Sequence, residues 1–201
     1  RALAMEGGMG PVASASHHGM IMRMPGIAVC APMTPKEWTE AWNWFSMHDD
    51  PIYVSEHRRS FSINYEMDDL VEESADITIL AISATRLNAL EAKKRLAAED
   101  IVCDIIHLFW LKPFEVTASM IASLQKTGLG LVLDSDFETG GPSKCLAHEL
   151  MLASSSPVHV LALEERTAGF APHLDNGTPS VGRIVTRAVE LVRLKAQSPV
   201  S

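Results

Sequence analysis

Three short clusters in this sequence carry residue types able to do chemistry. His17 and His18 are adjacent imidazoles, a pair that can move protons or ligate a metal. Neighbouring side chains on a helix point apart, however, and no Cys or carboxylate stands at ligand spacing, so ordinary surface or channel histidines are the plainer reading. Asp134, Asp136 and Glu138 lie at the end of a predicted strand, where α/β sheets often meet their ligands, and have the composition of an acid/base set. Glu56-His57-Arg58-Arg59 also follows a predicted strand; it can bind an anion, although an ion pair between domains is the commoner fate of such a group. Gly7-Gly8-Met9-Gly10 is no dinucleotide fingerprint, because the GxGxxG spacing fails and no apolar strand precedes it, which leaves a backbone turn.

The elements that must position these residues alternate between strand and helix. Ser14 to Met24 runs into the turn Pro25-Gly26, and a strand follows over Ile27–Cys30. Thr34-Pro35-Lys36-Glu37 is a helix start with a capping residue, proline in the first turn and a capping-box glutamate. Trp38, Ala41, Trp42 and Phe45 then fall at helical spacing, which predicts one buried face and core packing rather than a sugar platform. Ile52–Val54 reads as a short strand, and 60–76 is acidic without an apolar period, as expected of a linker. Beyond it, strands are predicted at Ile77–Ile82, Ile101–Leu108, Leu129–Leu133 and Val158–Leu163. Helices are predicted at Thr85–Ala98, Glu115–Lys126 and Pro142–Ala153, with a closing helix through Val181–Val192. Continuously apolar strands between helices imply a mainly parallel sheet covered on both faces.

Composition narrows the partners. The chain has 201 residues, 47% of them hydrophobic, enough for one or two domains with a real core. A formal charge of −8 and no extended Lys/Arg run argue against nucleic acid or an anionic membrane surface. No apolar run approaches the roughly 18 residues of a membrane span. Three scattered cysteines, Cys30, Cys103 and Cys145, give no disulfide framework and suit packing in a reducing compartment, so a soluble cytoplasmic protein is expected. The opening Arg1-Ala2-Leu3-Ala4, without methionine, reads as the start of a fragment.

Several segments, taken in order, resemble one family. Met24 to Pro35 is similar to the PGLKVVxPSTP stretch of 2-oxo acid dehydrogenase beta subunits, and Asp49 to Arg59 to their DDNPVIFLEHKR segment. Asp76-Ile77-Thr78-Ile79 resembles their DVTIV strand, and Asp104 to Phe114 their EVIDLRTLKPLD segment. The resemblance implies an α/β fold made of the end of a transketolase-like pyrimidine-binding domain (1–60), a linker (61–76) and a transketolase C-terminal domain (77–201). It implies thiamine diphosphate and Mg bound jointly with a partner chain, because the GDG-to-Asn diphosphate motif and the glutamate that meets the aminopyrimidine ring are both missing here. Alone, the chain is expected to be inactive. Implied partners are an alpha-type thiamine-diphosphate-binding subunit, a second copy about a two-fold axis, and an acyltransferase core or acyl carrier protein.

The same resemblance makes the glycine stretch a turn beside the active site and puts the Asp134–Glu138 loop at a domain junction. It also places an active-site histidine twelve residues before Pro25, where this chain has Ala13. An alanine can neither transfer a proton nor donate a hydrogen bond, so either the chemistry has changed or His17 or His18 substitutes. Three activities remain open: decarboxylation of a 2-oxo acid with acyl transfer to a lipoyl or acyl carrier, transfer of a two-carbon ketol unit from a sugar phosphate, and a non-catalytic structural role.

Overall fold

The computed structural model describes residues 2–4 and 10–197. Its first sheet is built from β1 (Ala2–Ala4), β2 (Ala28–Cys30) and β3 (Ile52–His57), with the short helices α1 (Gly10–Ala13) and α2 (His18–Met22) and the longer α3 (Pro35–Met47). The second contains β4 (Ile77–Ile82), β5 (Cys103–Leu108), β7 (Gly130–Phe137) and β8 (Val158–Leu163). Its helices are α4 (Thr85–Ala97), α5 (Ala118–Thr127), α6 (Pro142–Ser154) and α7 (Val181–Gln197). The strand order is β1-β3-β2-β6 in one sheet and β5-β4-β7-β8 in the other, where β6 is Trp110–Lys112. All pairings within the second sheet are parallel, and β6 crosses to the first sheet to pair antiparallel with β2. The fold is therefore α/β with a mainly parallel, helix-covered sheet, as expected.

The two faces of the second sheet explain its unbroken apolar strands. Ile77, Ile79 and Ala81 of β4 pack with Leu131 and Leu133 under α4 and α7, whereas Leu80, Ile82 and Val132 face α5 and α6. Successive strand residues alternate sides, so both sets must be apolar when helices cover both faces. Val29, Ala31 and Leu111 join the second cluster, so the core continues into the first sheet. The helix ends follow their sequence signals. Glu37 Oε2 accepts from the amides of Met33 (2.8 Å) and Thr34 (3.3 Å), Thr117 caps α5 by accepting from the amide of Met120, and Gly128 closes α5 at φ +59°.

Three expectations need correction. The helical face of Trp38, Ala41, Trp42 and Phe45 is not a buried core: only Ala41 is buried, Trp38 is half-buried, and Trp42 is 64% and Phe45 49% exposed. Helical spacing sets which residues share a face; it does not supply the surface that buries them. The acidic stretch read as a linker is strapped to the second sheet from Asp69 onward. Leu70 and Ile105 exchange backbone hydrogen bonds of 2.8 Å, the Asp69 carboxylate accepts from the amide of His107, and the Asp104 carboxylate accepts from the amide of Glu72. These contacts satisfy the open backbone groups of the edge strand β5. Cys30 and Cys103 are buried as expected, but Cys145 is exposed. The glycines Gly7 and Gly8, with Met9, lie outside the described residues, as does Arg1. Among the described residues no helix is long and apolar enough to cross a membrane.

Leu131→Ala, at a position with no exposure, should lower unfolding free energy by about 2–5 kcal/mol, whereas Leu152→Ala on the exposed side of α6 should stay within about 0.5 kcal/mol. Urea unfolding of both variants checks this contrast.

Candidate functional site

The polar groups singled out in the sequence converge where the two sheets meet. α2 delivers His18 to the C-terminal part of β7, which extends well past Leu133 and holds Asp134, Ser135 and Asp136 within the strand rather than in a loop. His18 has no exposed surface. Its Nε2 lies 2.9 Å from Asp134 Oδ1 and 3.8 Å from Asp136 Oδ2, and its Nδ1 lies 2.9 Å from Ser55 Oγ on β3. The amide of Gly19 donates to Asp136 Oδ2 at 2.7 Å, and Ser16 meets Ser135 twice, amide to carbonyl at 2.8 Å and hydroxyl to hydroxyl at 2.7 Å. The approach leaves little room at Gly19: a Cβ there would lie 3.0 Å from Asp136 Oδ2 and 3.1 Å from the Cα of Gly141.

Electrostatics favour the charged imidazole. Burial alone would lower the pKa of His18, but the Asp134 carboxylate, through its charge and its hydrogen bond, together with Asp136, raises it above the ordinary value. Burial also raises Asp136, against the opposing pull of His18. The site is a histidine–carboxylate pair closed to solvent. It can hold a proton and lock two sheets together, but as it stands it cannot reach a substrate. An open histidine was expected at this position, and the structure instead gives His18 two partners from 37 and 116 residues away. His17 is half-buried beside it, and Ala13 ends α1, also half-buried. Both ring nitrogens of His18 are already engaged, so proton transfer near Ala13 would require breaking these bonds.

A second buried charge crosses the same junction. Arg86, with no exposure, donates from Nη1 to Glu37 Oε1 at 2.6 Å. Burial pulls its guanidinium below the ordinary range, and Glu37 and Asp69 oppose that pull. The sequence reading used Glu37 only as a cap and passed over Arg86. A cation in the first turn of a helix, where the dipole disfavours it, was the available signal. The Glu56–Arg59 cluster also falls at this junction. Glu56 and His57 are buried within β3, and Arg59 Nη1 donates to Asn88 Oδ1 of α4 at 2.8 Å. Burial, helped by the charge of Arg59, lowers the His57 pKa to about 4, and its Nδ1 accepts from the amide of Arg59. Among the described residues no group of three or more His, Cys, Asp or Glu side chains is able to hold a metal ion.

Two helix-flanked sheets, mostly parallel and joined through buried ion pairs, make this an α/β protein. A family model for the transketolase C-terminal domain matches residues 69–175, more than half of the chain, and the chain belongs to that family. It is 29% identical over 155 residues to the pyruvate dehydrogenase E1 component subunit beta of Mesostigma viride, covering 70% of this chain and 47% of that protein. It is 30% identical over 147 residues to a 6-deoxy-6-sulfo-D-fructose transketolase subunit of Clostridium sp. (strain MSTE9), covering 69% of this chain and 45% of that one. The chain thus spans about half the length of these curated relatives. Among solved structures, a split-gene transketolase described as an inactive beta4 tetramer aligns at TM-score 0.66 and 22% identity, covering 96% of this chain and 66% of that one. A Pichia stipitis transketolase aligns at 0.69 and 16% identity, covering 98% of this chain and 30% of that one. The likeness to the C-terminal portion of a beta subunit, implied by the sequence segments, is borne out.

Breaking the buried pair should be costly. Removing one partner strands a buried charge, so Asp134→Asn and His18→Ala should each destabilise by about 3–5 kcal/mol, and the double variant by less than their sum. Because the folded-state pKa of His18 is raised, its stabilisation is complete below the unfolded value of 6.5 and is lost as pH rises through the higher folded value. The raised pKa of Asp136 acts in the same direction. Denaturant unfolding across pH 5–9 should therefore show wild-type stability falling on the alkaline side, with a flatter profile for His18→Gln.

Proposed function

We propose that this chain is a beta-type subunit of a thiamine-diphosphate-dependent enzyme which, with an alpha-type subunit, decarboxylates a 2-oxo acid and passes the acyl unit to a lipoyl or acyl carrier. The observation that carries this reading is the extent of the likeness to pyruvate dehydrogenase beta chains. With the Chaetosphaeridium globosum protein the likeness, at 24% identity, extends over 92% of this chain and 62% of that protein. Among the described residues no group able to hold a metal ion is found and His18 is closed to solvent, so this reading gives the completing groups of the cofactor site to a partner chain. In this reading thiamine diphosphate and Mg sit between this chain and the alpha-type partner, and no catalytic step through them is assigned to residues here.

Association is supported by the uncovered face of α3. Trp38, Trp42 and Phe45 with Ile52 and Val54 line a cleft of about 340 Å³, an apolar surface of the kind that protein interfaces bury. The alpha-type subunit and a second beta copy related by a two-fold axis are the proposed occupants of such surfaces, and the tetramer named for the split-gene transketolase supports that assembly. The net charge of −8 suits a basic segment of an acyltransferase core or carrier. Free Cys30, Cys103 and Cys145 suit a cytoplasmic, reducing setting.

Ketol transfer is the second reading, favoured by the 30% identity to the sulfofructose transketolase subunit and by Ala13 at the position of the family histidine. The two are separated by mass spectrometry of the assembled full-length enzyme, with its alpha-type partner, after incubation with pyruvate, branched 2-oxo acids or a ketose phosphate. Acylated carrier from a 2-oxo acid is expected, and a two-carbon ketol adduct formed only from the sugar would give the site to the second reading. With either substrate class, failure of the assembly to bind thiamine diphosphate would reassign the chain to a structural role. In the same assembly Ala13→His should raise 2-oxo acid decarboxylation, on the order of 10²–10⁴-fold if a missing general acid/base limits the native rate. Ordinary decarboxylation by the native protein with no response to the substitution would show that the position has no special meaning.

A further inference from the structure

A cleft of about 420 Å³ separates α3 from the β5–β6 turn and the start of α5, away from the His18 pair. Its walls are aromatic. The Trp44 and Trp110 rings lie 5.8 Å apart at 52°, Phe109 lies 4.9 Å from Trp110 at 49°, and Phe114 also lines the space. Both indoles are held in place. Trp110 donates its Nε1–H to Glu40 Oε1 at 2.7 Å, and His48 stacks on Trp44 at 4.2 Å while its Nδ1 hydrogen-bonds the Trp44 carbonyl at 2.8 Å. The aromatic wall is thus preorganised by contacts within the protein.

Its charge has one sign. Glu40 and Glu115 line it, and no lysine or arginine does so among the described residues. The nearby cations are otherwise engaged: Arg86 with Glu37, and Lys112 with the carbonyls of Met22 and Met24. His107, whose ring nitrogens have no hydrogen-bond partner, faces the cleft and stays neutral, because burial first and the charge of Arg86 second lower its pKa to about 4. Aromatic faces attract cations through their quadrupole, and a carboxylate at the edge of the ring adds to that field.

We propose that this cleft binds a small organic cation with an ammonium head, seated against the aromatic wall that Trp44 and Trp110 form together and facing Glu40. The volume fits a small molecule, and the combination of aromatic walls with carboxylates and no competing lining cation fits its charge. The proposal is independent of the reaction assigned above.

The test is calorimetric titration of the full-length protein, with any subunits that copurify, using choline as probe and 3,3-dimethylbutan-1-ol as its neutral isostere. Choline should bind saturably, and the isostere about fivefold or more weaker. Glu40→Gln should weaken choline severalfold and Trp110→Ala should remove it. If Trp110→Ala fails to fold, Trp44→Ala and the shift of the Trp110 indole N–H resonance on titration replace it. Absence of saturable choline binding, equal binding of the isostere, or unchanged affinity in Glu40→Gln and the tryptophan variants would overturn the proposal. So would tight binding of a lysine-rich peptide with choline silent, which would give the cleft to a protein partner.

Discussion

The structure turns on one imidazole enclosed by carboxylates. His18 has no exposed surface, yet its ring touches Asp134 on one side and Ser55 on the other, so α2, β3 and β7 share a single buried group. A charge removed from water is tolerated only when its partners are close and aligned, which fixes the relative position of the elements that carry them. Ser16 and Gly19 then dock on Ser135 and Asp136 by backbone contacts that follow from that alignment. Moving α2 by one residue would break all of these bonds together.

The Arg86–Glu37 pair applies the same constraint elsewhere on the junction, between α4 and α3. Glu37 has two roles, since one carboxylate oxygen closes the start of α3 and the other meets Arg86. The helix cap and the junction therefore depend on the same side chain. Buried ion pairs contribute little net stability against apolar substitutes, but they penalise misalignment strongly. That suits a junction that must hold one geometry while apolar clusters supply most of the stabilisation. β6 reinforces it covalently, leaving the second sheet to pair with β2 of the first.

The outward surfaces differ in kind. The second sheet is covered on both faces by its own helices, whereas α3 presents Trp42 and Phe45 to solvent. An apolar stripe is thus left open beside a closed core. Ala13 ends α1, which starts at Gly10. That glycine has φ +79°, a conformation that side-chain-bearing residues rarely adopt, so the backbone course is constrained there even though the side chain at Ala13 carries no chemistry.

Local sequence was enough for the alternation of elements. β4 and β8 begin and end where their apolar runs do, and α3 starts at its capping box, because these features depend on neighbours within a few residues. The family was legible for the same reason, through short collinear segments. Contacts across long separations were not. Asp134 and Asp136 were recognisable as chemically capable, and His18 as an imidazole, but nothing within either segment encodes that the other lies 2.9 Å away across 116 residues. Nor does helical spacing reveal that Trp42 and Phe45 stay exposed, while Trp44, off that face, joins Trp110 from a distant strand. Periodicity assigns a residue to a face; only the packing of all the elements decides whether that face meets core, partner or solvent, and which charges must share a buried space.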